Sequence, residues 1–170
     1  MRILALSLIV FVASIQSLHS QQTGSAIDLP AGARAVLQAK GNGAQIYTCT
    51  GAAGEVKWVL TAPDAKLLDA AGKAIGRHFA GPTWKLDDGS QVQGELIASK
   101  PAPESGAIAW LFLRAKAGTG EGRFADITFI RRTETHGGVA PESGCESMKD
   151  AGKTVQVPYT ATYTFYAGAG

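Results

Sequence analysis

The 170-residue sequence predicts an all-β protein, built as a single antiparallel β-sandwich or β-barrel domain with short turns. Runs of alternating apolar and polar residues recur along the chain, as in half-buried strands. The 21 glycines and 7 prolines separate these runs and supply the turns between them. No long stretch has the 3.6-residue periodicity of an amphipathic helix. This pattern does not distinguish a sandwich from a barrel, so both architectures remain open.

The predicted strands are short and are bounded by turn residues. Tight hairpins are predicted at Gly41-Asn42-Gly43, because Asn-Gly suits the positive φ angles of a type I′ turn, and at Asp87-Asp88-Gly89-Ser90. Residues 108–115 are almost continuously apolar, which predicts a central strand covered on both faces. Pro158 cannot donate a hydrogen bond to a neighbouring strand, so a sheet edge or a bulge is predicted there. The predicted strands are residues 33–40, 44–50, 55–62, 66–69, 73–79, 83–86, 91–98, 108–115, 125–132 and 154–166.

The start of the chain has the layout of a secretory signal peptide. A short positive start precedes residues 3–15, which are almost wholly apolar but too few to cross a bilayer as a helix. Small and polar residues follow, and cleavage fits after Ser20 or after Ala26; an uncleaved anchor is the alternative. The sequence therefore predicts a signal peptide over residues 1–20 and a single β domain over residues 27–170. The mature protein is expected to be secreted or periplasmic and to have no membrane span.

The two cysteines, Cys49 and Cys145, are predicted to form a disulfide, because an exported chain meets an oxidising compartment. Two free thiols are the alternative. Cys145 lies in a long polar segment, residues 133–153, which is predicted to be a loop. Long loops in small domains are usually pinned or functional, and the disulfide would pin this one to the strand predicted over residues 44–50.

Several segments of the chain are similar to those of a known family. The most specific is His78-Phe79-Ala80-Gly81-Pro82-Thr83-Trp84, and the others include Tyr47-Thr48-Cys49-Thr50, Asp88-Gly89-Ser90, Ala109-Trp110-Leu111 and Ile130-Arg131-Arg132-Thr133. Through these segments the chain resembles a family of secreted bacterial and fungal proteins catalogued as domain of unknown function 3455, over about residues 29 to 166. The resemblance implies an exported domain and supplies no activity.

A cluster of unusual residues around His78 is the best candidate for a binding site. Arg77, His78 and Trp84 are close in sequence and are expected to form a polar, aromatic mouth at one end of the domain, where loops gather. His136 is added because histidine can bind ligands or transfer protons near neutral pH. The candidate ligand-binding residues are therefore His78, Trp84, Arg77 and His136.

The other two tryptophans alternate with apolar residues and are predicted to lie in the core. Trp58 alternates with Val56 and Leu60, and Trp110 lies in the apolar run of residues 108–115. Trp84 differs because it follows Gly81-Pro82 and precedes a charged turn. It is therefore the tryptophan expected nearest to the rim.

These observations favour a non-catalytic binding or surface-interaction module whose partner is a small molecule, a glycan or another protein. The first alternative is an exported hydrolase or metal-dependent enzyme that uses His78 with nearby carboxylates such as Asp87, Asp88 and Glu95. The second is a structural or stress-protective envelope protein without a small-molecule site.

Motifs and charge limit these alternatives. The chain has no G-x-S-x-G nucleophile motif, no H-x-H or H-E-x-x-H metal spacing and no complete acid–base set. No metal and no cofactor are therefore predicted, and an enzyme is disfavoured. The 16 basic and 14 acidic residues are interspersed, so the sequence has no basic patch of the kind that binds nucleic acid.

Overall fold

The computed structural model describes residues 25–52, 55–116 and 120–168, and the predicted signal peptide lies outside them. The chain forms a closed barrel of eight antiparallel strands, each paired with its neighbours in sequence and β1 paired with β8. The all-β, antiparallel prediction is confirmed, and the barrel is the correct one of the two architectures. The strands are β1 (Arg34–Ala52), β2 (Glu55–Leu68), β3 (Ala74–Phe79), β4 (Thr83–Leu86), β5 (Gln91–Lys100), β6 (Trp110–Ala115), β7 (Ile127–Gly137) and β8 (Thr154–Ala167).

Helical structure is minimal in the part of the chain that the structure describes. Its one element is a 3₁₀ turn at Met148–Asp150, begun by a capping box between Ser147 and Asp150. No helix in these residues is long and apolar enough to cross a membrane.

The predicted hairpin at Gly41-Asn42-Gly43 is wrong, because β1 runs straight through these residues. Gly41 pairs with Leu67 in β2 and with Ala161 in β8, so it lies in the middle of the sheet. A Cβ on Gly41 would lie 2.5 Å from the Tyr163 ring. These glycines therefore provide room for close packing inside a strand and do not form a turn.

The strands predicted over residues 55–62 and 66–69 are in fact one strand, β2, which continues through Pro63. β2 pairs with β1 along its length but with β3 only over Ala65–Leu68. At Pro63 the strand has a single neighbour, so a residue without an N–H group is tolerated there.

The remaining turn predictions hold, with one change of length. The turn at Asp87-Asp88-Gly89-Ser90 joins β4 to β5, and Gly89 has a φ of 89°. Pro158 pairs with Ala44 of β1 on one side, and the pairing of β8 with β7 on the other side ends one residue away, at Tyr159. The predicted sheet edge at Pro158 is therefore confirmed. The loop predicted over residues 133–153 is shorter, because β7 continues to Gly137 past a bulge at which Glu134 adopts a φ of 49°.

The hydrophobic core fills the barrel, and a second cluster covers part of its outside. Phe124, from the β6–β7 connection, is buried against Phe165, with ring centroids 4.4 Å apart, and its N–H donates to the Ser90 hydroxyl; together they close one end of the barrel. Outside, Ile27 packs on Phe112 of β6. Strand β6 is thus covered on both faces, as predicted. Buried interior residues include Leu67, Leu86, Val92, Leu113, Ile130, Tyr163 and Phe165.

The disulfide between Cys49 and Cys145 is present, with the two Cα atoms 5.5 Å apart. It ties the connection between β7 and β8 to β1, as predicted. Trp58 also holds this connection, because its indole N–H donates to the Ser143 carbonyl at 3.0 Å. Trp58 and Trp110 are both only half-buried, so the prediction that they lie in the core is wrong. Trp110 packs on the outer cluster of Ile27, Phe112 and Phe129. Trp58 pairs with Cys49 and lies against the β7–β8 connection.

Candidate functional site

A cavity of about 330 Å³ lies inside the barrel, near the β3–β4 turn. It opens where the barrel wall is shortest. Strands β3 and β4 have only 6 and 4 residues, so the longer strands on either side, β2 and β5, extend beyond them without a partner on that side. Leu60 of β2 and Leu96 of β5 border the gap and are 49% and 57% exposed. The entrance is therefore apolar.

His78 and Trp84 form the floor of the cavity. They are direct neighbours on β3 and β4 and point inward, and their rings stack with centroids 4.3 Å apart and planes within 5°. Both are buried, and Tyr163 of β8 meets both rings edge-on. This places a rigid, flat aromatic surface at the bottom of the cavity.

His78 is a neutral hydrogen-bonded residue. Its Nδ1 donates to the Thr83 carbonyl at 2.9 Å, which fixes the tautomer and leaves Nε2 as an acceptor. The pKa of His78 is lowered from 6.5 to about 4, mainly by burial; the bond to Thr83 acts in the opposite direction, and the positive charge of Arg132 contributes to the lowering. The imidazole is therefore uncharged at neutral pH.

Gln45 is the most unusual residue of the cavity wall. Its side chain points inward from the middle of β1 and is 1% exposed. Neither its amide nitrogen nor its amide oxygen has a hydrogen-bond partner among the described residues. The buried indole N–H of Trp84 lacks a partner in the same way. Buried polar groups are normally paired, so these two need an explanation.

Arg132 supplies the charge at the cavity. It shares the inward parity of Ile130 on β7 and borders the cavity between Leu111 and Tyr163. Its Nε and its Nη2 each donate a hydrogen bond to the Ala109 carbonyl, at 3.1 and 2.8 Å. Two of the five guanidinium donors are used in this way. Arg132 is the one charged residue on the cavity wall in the described part of the chain.

The structure brings together two of the four sequence-predicted site residues. His78 and Trp84 meet at the cavity, although Trp84 forms its floor and not its rim. Arg77 points outward and forms an exposed ion pair with Asp64 at 2.9 Å. His136 is also exposed and contacts Glu104 on another face of the barrel. The predicted mouth therefore contains an aromatic stack without Arg77 or His136.

The carboxylates considered for an enzyme do not reach His78. Asp88 accepts hydrogen bonds from Ser90 and from the Arg123 N–H, and Asp87 follows Leu86 in the same turn. Glu95 is exposed. Across residues 25–52, 55–116 and 120–168, no group of three or more His, Cys, Asp or Glu side chains is placed to hold a metal ion.

Sequence reasoning did not identify Gln45, Arg132 or Tyr163 as site residues. Strand parity is the signal that could have found them. Tyr163 shares the apolar parity of β8, and Arg132 shares that of Ile130. For Gln45 the signal was hidden, because the incorrect hairpin separated it from the alternation that begins at Leu37.

Comparison with known proteins places the chain in a family. Residues 30–167 match the family described as protein of unknown function (DUF3455), and the chain belongs to it. The resemblance found in the sequence is confirmed at this level. No curated protein and no solved structure matches the chain.

Proposed function

We propose that this family member is a non-catalytic binding protein whose ligand, a small organic molecule, occupies the barrel cavity. The observation that carries the proposal is Gln45, a buried amide on a mostly apolar wall, neither of whose polar atoms has a partner in the described residues. A buried polar group without a partner costs about 1–3 kcal/mol. A polar group of a ligand would satisfy it, which gives an amide at this position a role.

The size and lining of the cavity favour a small molecule over a glycan or a protein partner. A cavity of about 150 Å³ inside a protein holds benzene, and the one here is about 330 Å³. A ligand with roughly two fused rings would fit. The flat His78–Trp84 stack and the leucines at the entrance would pack on such rings.

Two features support binding without catalysis in an exported protein. A general base works best when its pKa lies near the operating pH, and the pKa of His78, at about 4, is well below neutrality. The disulfide fits the oxidising compartment in which a secreted or periplasmic protein resides. Secretion itself is part of the proposal.

The proposal is tested by filling the cavity. Pro63 borders the cavity and pairs with Gln45, so its side chain lies on the inward face, and Pro63→Phe should weaken the binding of naphthalene-2-carboxamide, measured by isothermal titration calorimetry, by about tenfold or more. Val59 lies on the same strand, is exposed and does not border the cavity, so Val59→Phe is the matched control and should bind as the wild type does. Thermal melting confirms that both variants are folded.

A second variant separates a binding role of Gln45 from a structural one. Gln45→Leu removes the unpaired amide, so it should weaken binding of the carboxamide without lowering the melting temperature. Gln38→Leu, on the exposed side of the same strand, should leave binding unchanged. Unchanged affinity in both Pro63→Phe and Gln45→Leu, or no binding to the wild type, would refute the proposal.

A further inference from the structure

We propose that the ligand of this cavity is an organic anion, a small ring system whose carboxylate is bound by Arg132. The inference rests on the proposed function and adds the charge and polarity of the ligand. Three features of the cavity carry it: the fixed position of Arg132, the lack of a counter-ion for it within the described ranges, and the apolar character of the other walls.

The guanidinium of Arg132 is held in place and retains donors. The Ala109 carbonyl accepts from both Nε and Nη2, which orients the guanidinium plane. The donors that Ala109 does not use are available to a carboxylate, which matches the guanidinium fork in geometry. Gln45 and Trp84 add buried N–H donors on the same cavity wall. An anion accepts from all of these groups, whereas a cation accepts from none.

Arg132 has no counter-ion in the part of the chain that the structure describes. The ion pairs Arg77–Asp64 and Lys153–Asp150 and the His136–Glu104 contact lie at the surface there, and no acidic residue of the described chain borders the cavity. The cavity therefore has a positive potential. Its effect extends to neighbouring groups: burial raises the pKa of the Tyr163 hydroxyl, and the charge of Arg132 opposes this rise.

The other walls favour an apolar, planar body for the ligand. The side chains of Leu60, Leu96, Leu111 and Leu113 and the face of the His78–Trp84 stack surround the space. Burying rings against these surfaces supplies affinity, and the single cation selects for charge. An aromatic or alicyclic monocarboxylate of about two rings satisfies both requirements.

A charge series of equal shape tests the inference. Naphthalene-2-carboxylate, naphthalene-2-carboxamide and 2-naphthylmethylammonium are titrated into the wild-type protein at pH 7.5 in a calorimeter. We expect the carboxylate to bind about tenfold more tightly than the carboxamide, because its bonds to Arg132 are charge-assisted, and the ammonium to bind most weakly. A carboxamide that binds as tightly as the carboxylate would overturn the inference and leave the proposed function intact, whereas no binding of any probe would refute the proposed function.

The variant Arg132→Met assigns the effect to one residue. It keeps an apolar side chain of similar length, so the carboxylate should lose its advantage over the carboxamide, whose own affinity should change little. Arg131→Met removes the adjacent charge from the opposite parity and should keep the preference. A preference that survives in Arg132→Met contradicts the inference. If circular dichroism shows that Arg132→Met is unfolded, the wild-type charge series decides alone, because it needs no variant.

Discussion

At the scale of single residues, the cavity is defined by polar groups placed where the barrel could have used apolar ones. Gln45 has the inward parity of Leu37 and Ala39, and both of those residues are packed in the core. A leucine at position 45 would fill the same space without the cost of an unpaired amide. Arg132 likewise has the inward parity of Ile130, which lies two residues earlier on β7 and is packed in the core. Two polar residues at inward positions, where apolar residues would be expected, indicate a binding site within the core.

His78 gives the protein a pH-dependent stability. Burial lowers its pKa from 6.5 to about 4, so the unfolded chain binds a proton at a higher pH than the folded chain. The contribution of the neutral imidazole to stability is complete above pH 6.5 and is lost as the pH falls towards 4. The full shift corresponds to about 3 kcal/mol. We expect the free energy of unfolding, measured with urea, to be about 2 kcal/mol lower at pH 5.0 than at pH 7.5.

The control is a ring that does not titrate. His78→Phe keeps an aromatic face on Trp84 and should lose most of this pH dependence, whereas His136→Gln, at an exposed position, should keep it. An equal loss of stability at pH 5.0 in the wild type and in His78→Phe would show that another group is responsible.

At the scale of secondary-structure elements, close approach between strands accounts for the glycines of β1. A Cβ on Gly43 would lie 2.1 Å from the Asp64 carbonyl oxygen and 2.5 Å from the Ala65 Cα. Both atoms belong to the backbone of β2, so they cannot move without shifting the strand. The long strand β1 pairs with β2 and β8 at once, and these glycines permit that packing.

Gly43→Ala should therefore destabilise the fold strongly. We expect a loss of about 3 kcal/mol in the free energy of unfolding, because the added methyl group overpacks a position that cannot relax. Asn42→Ala, at the adjacent exposed position, should change the stability by less than about 0.5 kcal/mol. Urea denaturation of both variants provides the comparison, and similar stabilities would contradict this packing role.

The sequence predicts most elements because their signals are local. The turn at Asp87-Asp88-Gly89-Ser90, strand β4 and the alternation of β8 all depend on residues adjacent in the chain. The hairpin at Gly41-Asn42-Gly43 failed for the opposite reason. Its glycines are needed because a Cβ atom there would clash with Ala65 or Tyr163, which are far away in sequence. The same difference explains the candidate site. His78 and Trp84 could be predicted because they are close in the chain, whereas Gln45 and Arg132 come near them only when the barrel closes.

At the scale of the whole molecule, the short β3–β4 hairpin leaves a gap in the closed barrel, and that gap gives access to the cavity. The β3–β4 hairpin is too short to cover the longer β2 and β5. The opposite end is closed by Phe124. The disulfide from Cys49 holds the β7–β8 connection to β1. The described part of the barrel thus provides a cup with an apolar entrance, which suits a preformed binding site.

The most direct test of this account is a crystal structure of the protein with naphthalene-2-carboxylate. We predict electron density for the rings inside the barrel, against the His78–Trp84 stack, with the carboxylate within hydrogen-bond distance of Arg132 and the amide of Gln45 bonded to the ligand. Rings bound only on the outer surface, with the Gln45 amide still unpaired beside an unfilled cavity, would contradict it.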